Sequence, residues 1–346
     1  MGLFDLFRSD LKKVALHGQA LRSDNLKARR KAVQALSRIG HPASLEVLLG
    51  ALKDPDDLVR LVAVGALEGC RSPEGVEVLI KGLQDEDPKV RAKAAELLGG
   101  RKDPAAGPAL LKAIKDEHPK VRGAAAWALG ELGGLEVVGP LAALLQDDQS
   151  PVRVRAARAL GQLFESGVLD PSQPVVEEII PALIAGLRDP GSFDAAGSVL
   201  RRIGLRAVPP LLAALTSGDL DLFNAAAWVV SHQFLEQGRE RPPEFRDAFW
   251  GAAPFLLQMV EEAEILDGPK SFSKYVARAV NTLGCLGATQ ALPVLEKFRD
   301  RVAAKWAQVA RGPGAGESPW SAASASPEVE LKFIQSAIDH LKPDHP

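Results

Sequence analysis

Cysteine, methionine and tyrosine are nearly absent from this chain of 346 residues, at two, two and one. Cys70 and Cys285 lie far apart and form no C-x-x-C, which excludes a disulfide framework and a cysteine-based zinc site and leaves two reduced core thiols. Histidine is scarce too, at six. His17, His41, His118, His340 and His345 have no ligand partner at helical spacing; His232 and Glu236 do, four apart, but one pair is not a site. No G-x-S-x-G elbow, P-loop or glycine-rich phosphate fingerprint occurs. These absences argue against an enzyme and imply no cofactor and no metal. Long apolar runs are missing as well. The opening MGLFDLFRSDLKK meets charge too early for a signal-peptide core or a spanning helix, so a cytoplasmic protein is expected. Gly2 invites myristoylation, yet Leu6 stands where that pattern asks for Ser or Thr.

No charge of one sign predominates. With 42 Lys+Arg against 44 Asp+Glu, the chain has no net pull toward nucleic acid or an anionic membrane. The distribution is uneven: residues 1–163 hold 25 basic against 21 acidic residues, a surplus of 4, and the remainder is correspondingly acidic. Of the aromatics, only Phe4, Phe7 and Trp127 fall in that first part.

What the chain does have is a period. Arg29, Arg60, Arg91, Arg122 and Arg153 follow one another at 31 residues, and Asp54, Asp85, Asp116 and Asp147 each lie six positions before an arginine, with Ser23 in the equivalent place of the first copy. A fixed period in this range marks a stacked repeat protein. Each copy resolves into two helices. The first carries Leu48, Leu79, Leu110 and Leu141, with Leu52, Leu83, Ile114 and Leu145 four residues on, and is opened by Pro42, Pro73 and Pro104. The second carries Ala63, Ala94, Ala125 and Ala156, then Leu67, Leu98, Leu129 and Leu160. Asp87, His118 and Ser150 stand before prolines as its caps, and Gly69, Gly100 and Gly133 end it. The spacing predicts an all-α solenoid of stacked antiparallel helix pairs, whose core exists only between neighbours.

The period drifts after Leu163. An insertion over 165–176 precedes helix pairs at 179–187 and 193–203, then 208–215 and 222–230. A second insertion spans 231–255, and the last large helices are expected at 275–283 and 291–309. The aromatics Phe234, Phe245, Phe249, Trp250, Phe255, Phe272 and Tyr275 are read as core of these irregular repeats, with an interface for self-association as the alternative. The organisation expected is an N-terminal cap at 1–9, built on Leu3, Phe4, Leu6 and Phe7; regular repeats at 10–163; irregular repeats with insertions at 164–310; a flexible Gly/Ser/Ala/Pro linker at 311–326; and a C-terminal helix and tail at 327–346, apolar along Leu331, Ile334, Ile338 and Leu341.

These columns resemble the HEAT-like repeat proteins, in the short-repeat subgroup related to the phycobilisome-lyase type. The motif D-x-x-x-x-V-R-x-x-A-A-x-A-L-G is met at Asp116, Val121, Arg122, Ala125, Ala126, Ala128, Leu129 and Gly130, and again at Asp85, Val90, Arg91, Ala94 and Ala95. The resemblance covers 10–163 strongly and 177–300 weakly. It implies that Asp54, Asp85, Asp116 and Asp147 form a hydrogen-bonded ladder between repeats with Arg60, Arg91, Arg122 and Arg153. Those residues are then structural. Deoxyhypusine hydroxylase, an iron enzyme on a similar scaffold, uses His-Glu dipeptides; none occurs here.

Positions two before and two, five and nine after each arginine form one stripe on the second helices. Its candidates for binding are Lys27, Lys31, Lys89, Lys93, Lys120, Trp127, Arg155 and Arg158. Solenoids usually present this layer on their concave side, where extended partners lie. The alternative is ordinary solvated charge; Trp127 beside arginines favours binding, while the matching Trp228 points to packing. The expected function is a non-enzymatic scaffold holding another protein, through an acidic segment, against this stripe. Repeat similarity alone raises a second class, a bilin-lyase-like or chaperone-like protein handling a small anionic ligand or a substrate protein. A HEAT-like DNA-binding or repair protein would want a more basic groove.

Overall fold

In the computed structural model of the chain, residues 3–39, 42–69, 73–235, 252–263, 274–286, 289–309, 327–339 and 341–342 are described. They are helices and turns, with no strand among them. The chain divides into two compact units, Met1–Asp170 and Pro171–Pro346. No described helix is long and apolar enough to cross a membrane.

The first unit contains five helix pairs: α1 (Leu3–Ala20) with α2 (Leu26–Ile39), α3 (Pro42–Ala51) with α4 (Asp57–Ala66), α5 (Pro73–Gly82) with α6 (Pro88–Arg101), α7 (Gly107–Ala113) with α8 (Pro119–Leu132), and α9 (Val138–Ala143) with α10 (Ser150–Glu165). The second helices α2, α4, α6, α8 and α10 pack against one another in succession, and each first helix packs on the second helix of its own pair. The sequence columns are the core of this stack. Leu79, Leu110 and Leu141 of the first helices are fully buried, as are Ala63, Ala94, Ala125 and Ala156 and the four leucines that follow them. Small alanines beside leucines let the second helices approach closely, so each pair buries its apolar face on the next.

Helix starts follow from local chemistry. Asp56, Asp87 and His118 adopt extended backbone and their side chains accept hydrogen bonds from N–H groups of the first turn, satisfying donors the helix leaves open. Two expectations at helix ends are corrected. The residue before α10 is Gln149, which makes no side-chain cap; Ser150 is already helical, one residue ahead of Pro151. Gly100 does not end α6. The left-handed residue is Lys102, at φ 55°, because Pro104 disfavours helical backbone at Asp103 and forces the chain out of the helix just before it. Gly133 does end α8, at φ 81°.

The second unit begins with α11 (Val175–Gly186) and α12 (Phe193–Ile203), then α13 (Val208–Leu215) and α14 (Leu220–Leu235). α14 runs five residues into the segment read as insertion. A further helix that the periodicity missed, α15 (Ala253–Glu261), is followed by α16 (Lys274–Leu286), α17 (Leu292–Val309) and α18 (Pro327–Asp339). The tail helix α18 docks on α16 and α17: Ile334, Ile338 and Leu341 are buried, Arg299 Nη1 donates to Gln335 Oε1 at 2.9 Å, and a Cβ placed on Gly284 would meet Ala337 Cβ at 3.1 Å. Of the C-terminal aromatics, Phe255 is half-buried with its ring 6.3 Å from that of buried Phe223, and Tyr275 is half-buried with its hydroxyl 3.2 Å from Asp221 Oδ1. Phe245, Phe249, Trp250, Phe272, Glu236 and the linker 311–326 lie outside the described residues, as do the side chains of Leu3, Phe4, Leu6, Phe7, His232 and Phe234.

Candidate functional site

Two ladders set the register of the first unit. In the first, Arg29 Nε donates to Asp54 Oδ2 at 2.8 Å, Arg60 to Asp85 at 2.9 Å, Arg91 to Asp116 at 2.7 Å and Arg122 to Asp147 at 2.6 Å, each with a second guanidinium nitrogen on the other carboxylate oxygen. Each arginine also turns Nη1 back onto the backbone carbonyls six and five residues before it, as Arg91 does to Asp85 and Glu86 at 2.8 and 3.0 Å. The aspartate thus receives the arginine of the preceding copy on its carboxylate and that of its own copy on its carbonyl. Its Oδ1 additionally accepts the N–H two residues on, at 2.9 Å in all four copies. Ser23 keeps this last bond, accepting Asn25 N–H at 3.1 Å. Arg153 donates to the Asp147 and Asp148 carbonyls.

Burial alone would raise the Asp85, Asp116 and Asp147 carboxyls. Hydrogen bonds from the paired arginine and from the backbone N–H outweigh it and hold all three below the ordinary carboxylate range. The same bonds raise Arg60, Arg91 and Arg122. These groups are committed to one another, with side chains mostly under a sixth exposed.

A second ladder, not anticipated from the sequence, ties the other end of these helices. Glu131 receives Lys102 Nζ at 2.8 Å and Gln162 Nε2 at 2.6 Å, so α6, α8 and α10 are joined through one carboxylate, which these bonds pull down in pKa. The signal was present, since Glu131 and Gln162 are one period apart. Arg30 with Asp56, at 2.6 Å, is a further arginine pair of the same kind.

Between the ladders, the second-helix face opens into a groove of about 940 Å³. Val76, Leu97 and Trp127 give it an apolar lining. Lys93, Arg155 and Arg158 of the stripe line it too, joined by Lys102. Carboxylates enter as Glu68, Glu96 and Asp103. The other stripe residues, Lys27, Lys31, Lys89 and Lys120, are exposed and do not line the groove. Lys89 and Lys120 sit at the second position of their helices, whereas the groove lies along the later turns. The stripe is also broken at Ala124, which is fully buried. Packing explains Trp127: its ring lies where a Cβ on Gly99 would be 2.9 Å from Cζ3, so it is half-buried and turned along α6. Arg155 lays its stem over α8, with Cδ 3.0 Å from a Cβ built on Gly123. Among the described residues no group of histidines, cysteines and carboxylates could hold a metal ion.

Residues 14–81 and 76–161 match the family model of HEAT repeats, so the regular part of the chain is an array of HEAT repeats. No curated protein matches the chain. Among solved structures it is similar to the complex of CpcE and CpcF of phycocyanin lyase from Nostoc sp. PCC7120, at 24% identity, covering 68% of this chain and 92% of that one with a TM-score of 0.40. It is similar to a chain in a structure of Kap95p with RanGDP, at 16% identity, 95% and 46% coverage and a TM-score of 0.52. It is also similar to importin beta, at 18% identity, 95% and 47% coverage and a TM-score of 0.48. The chain spans just under half the length of these last two, and at such identities the likeness is one of fold: an all-α solenoid.

Proposed function

We propose that this chain is a non-enzymatic scaffold that holds another protein on the second-helix face of its first unit. The observation that carries the reading is the groove around Trp127. It combines a half-buried indole, two exposed arginines and an apolar lining in a unit whose ladder charges are already paired. Trp and Arg are the side chains most often found where interfaces concentrate their energy. The absence of a pairing pattern for Cys70 and Cys285 supports a place in the reducing interior of a cell. HEAT arrays in complexes with other proteins are consistent with a protein partner, and the acidic segment expected from the sequence is the complement of Arg155 and Arg158 within the groove.

The test is a pull-down from native lysate comparing wild type with Lys93→Glu/Arg155→Glu at low and moderate salt, identifying both protein and nucleic acid. One protein partner lost in the double variant supports the reading; partners unchanged sink it. The same arginines beside an indole also favour a second reading, a small anionic ligand of the bilin type. A spectral shift of an added tetrapyrrole that disappears in the double variant would move the assignment there.

A further inference from the structure

The groove's charges are segregated. On the α10 bank, Arg155 and Arg158 are exposed, one turn apart, and make no ion pair or hydrogen bond among the described residues. Opposite them three cations line the groove and each has a partner: Lys93 with Glu96 at 3.9 Å, Lys102 with Glu131 at 2.8 Å, and Arg101, half-buried, donating Nη2 to the Leu67 carbonyl. What that side offers a partner is carboxylate, chiefly from exposed Glu68 just past α4, with Glu96, whose side chain is 43% exposed, shared with Lys93. Between the two banks lie Trp127, Leu97 and Val76.

A uniformly acidic segment would satisfy the α10 bank and be repelled at the other, and a polyanion such as nucleic acid would be repelled in the same way. Like-charge juxtaposition in an interface selects against wrong partners as attraction selects the right one. From this we infer that the groove takes an oriented, charge-segregated protein segment: carboxylates on Arg155 and Arg158, one apolar anchor side chain over Trp127, and a basic or neutral stretch reaching Glu68 and Glu96. The inference rests on the protein-binding reading and sharpens it, because it names the pattern the partner must carry and sets its direction across the helices.

The test titrates the full chain with short dye-labelled peptides and follows anisotropy. One peptide carries an acidic block, a leucine anchor and a lysine block; a second is acidic throughout with the same anchor; a third is the first with the anchor replaced by glycine; a single-stranded oligonucleotide of equal length is the last probe. The segregated peptide should bind best. Loss of the anchor should weaken it at least tenfold, as burying one leucine implies, and the uniformly acidic peptide should be weaker by about tenfold from the facing carboxylates. Arg155→Glu/Arg158→Glu should abolish binding of the segregated peptide, whereas Glu68→Lys/Glu96→Lys should reverse the preference toward the acidic one; all four are surface positions, and circular dichroism checks the fold. No binding of the segregated peptide, equal or tighter binding of the acidic peptide or oligonucleotide to wild type, or affinity indifferent to the arginine pair would overturn the inference. The scaffold reading fails separately: a pull-down partner lost in Lys93→Glu/Arg155→Glu without any peptide preference leaves the scaffold and removes the orientation, and peptide selectivity with no such partner does the reverse.

Discussion

Gly99 and Gly100 are neighbours in α6 with opposite surroundings. A Cβ on Gly99 would lie 2.7 Å from Ala128 Cα and 2.9 Å from Trp127 Cζ3, against backbone that cannot yield, whereas nothing stands within 4 Å of the same atom on Gly100. Gly99→Ala should therefore push α6 from α8 and cost about 1–3 kcal/mol, the usual price of overpacking. Gly100→Ala should stabilise by about 0.5–1 kcal/mol through helix propensity alone. Urea unfolding of the two variants side by side checks this; equal effects would mean that the close approach does not limit packing. The sequence could not separate the two. It shows a doublet of glycines at the expected end of a helix, and only the neighbouring helix tells which one is needed. His118 was more legible. Residues 85–88 and 116–119 read DEDP and DEHP, and both third residues cap their helices. The imidazole accepts Lys120 N–H at 3.2 Å, the Asp87 carboxylate the matching Lys89 N–H at 2.8 Å. A carboxylate accepts more strongly and favours the positive end of the helix dipole, so His118→Asp should raise stability by about 0.5–1 kcal/mol, again by urea midpoint.

At the scale of the helix pair, the 31-residue period made the core columns and the arginine and aspartate positions readable. It could not say that each carboxylate belongs to the arginine 25 residues before it while the arginine six residues after takes only its carbonyl; spacing carries no direction. The closed pairs should matter to stability. Arg91 and Asp116 have side chains 9% and 12% exposed, so Arg91→Ala leaves a largely buried carboxylate and should cost about 3 kcal/mol. Arg91→Ala/Asp116→Ala should cost clearly less than the sum of the single changes, and an additive double-mutant cycle would show that the pair is not coupled. Acid should act through the same groups. Because Asp85, Asp116 and Asp147 are depressed in the folded chain, their contribution is complete above the unfolded carboxylate value of about 4 and is lost as pH falls through their lower folded values. The first unit should thus hold its stability through mild acid and lose it steeply below about pH 4. Asp116→Asn should flatten that loss in an acid titration followed by circular dichroism.

Across the whole chain, the division at Asp170 and Pro171 and the docking of α18 bear on how the protein unfolds. The period weakened in the second unit but still gave its helix pairs, and Gly197 meets the Trp228 ring there as Gly99 meets Trp127 in the first. Individual contacts are added to the repeated ones, such as Phe193 against Trp228 at 4.8 Å and Gly284 against Ala337, so α15 was missed and the tail's amphipathic face did not say what it would cover. Once docked, Ile334 and Ile338 are fully buried against α16 and α17. Ile338→Ala should therefore cost about 2–5 kcal/mol, and the loss should fall on the second unit. Arg91→Ala, by contrast, burdens only the first. If the units unfold as separate cooperative bodies, calorimetry of the full chain should resolve two transitions, with Ile338→Ala lowering one and Arg91→Ala the other. Both variants shifting a single shared transition would mean that the two units unfold as one cooperative body. In that event binding at the Trp127 groove should also weaken when α18 is removed; with independent units it should not change.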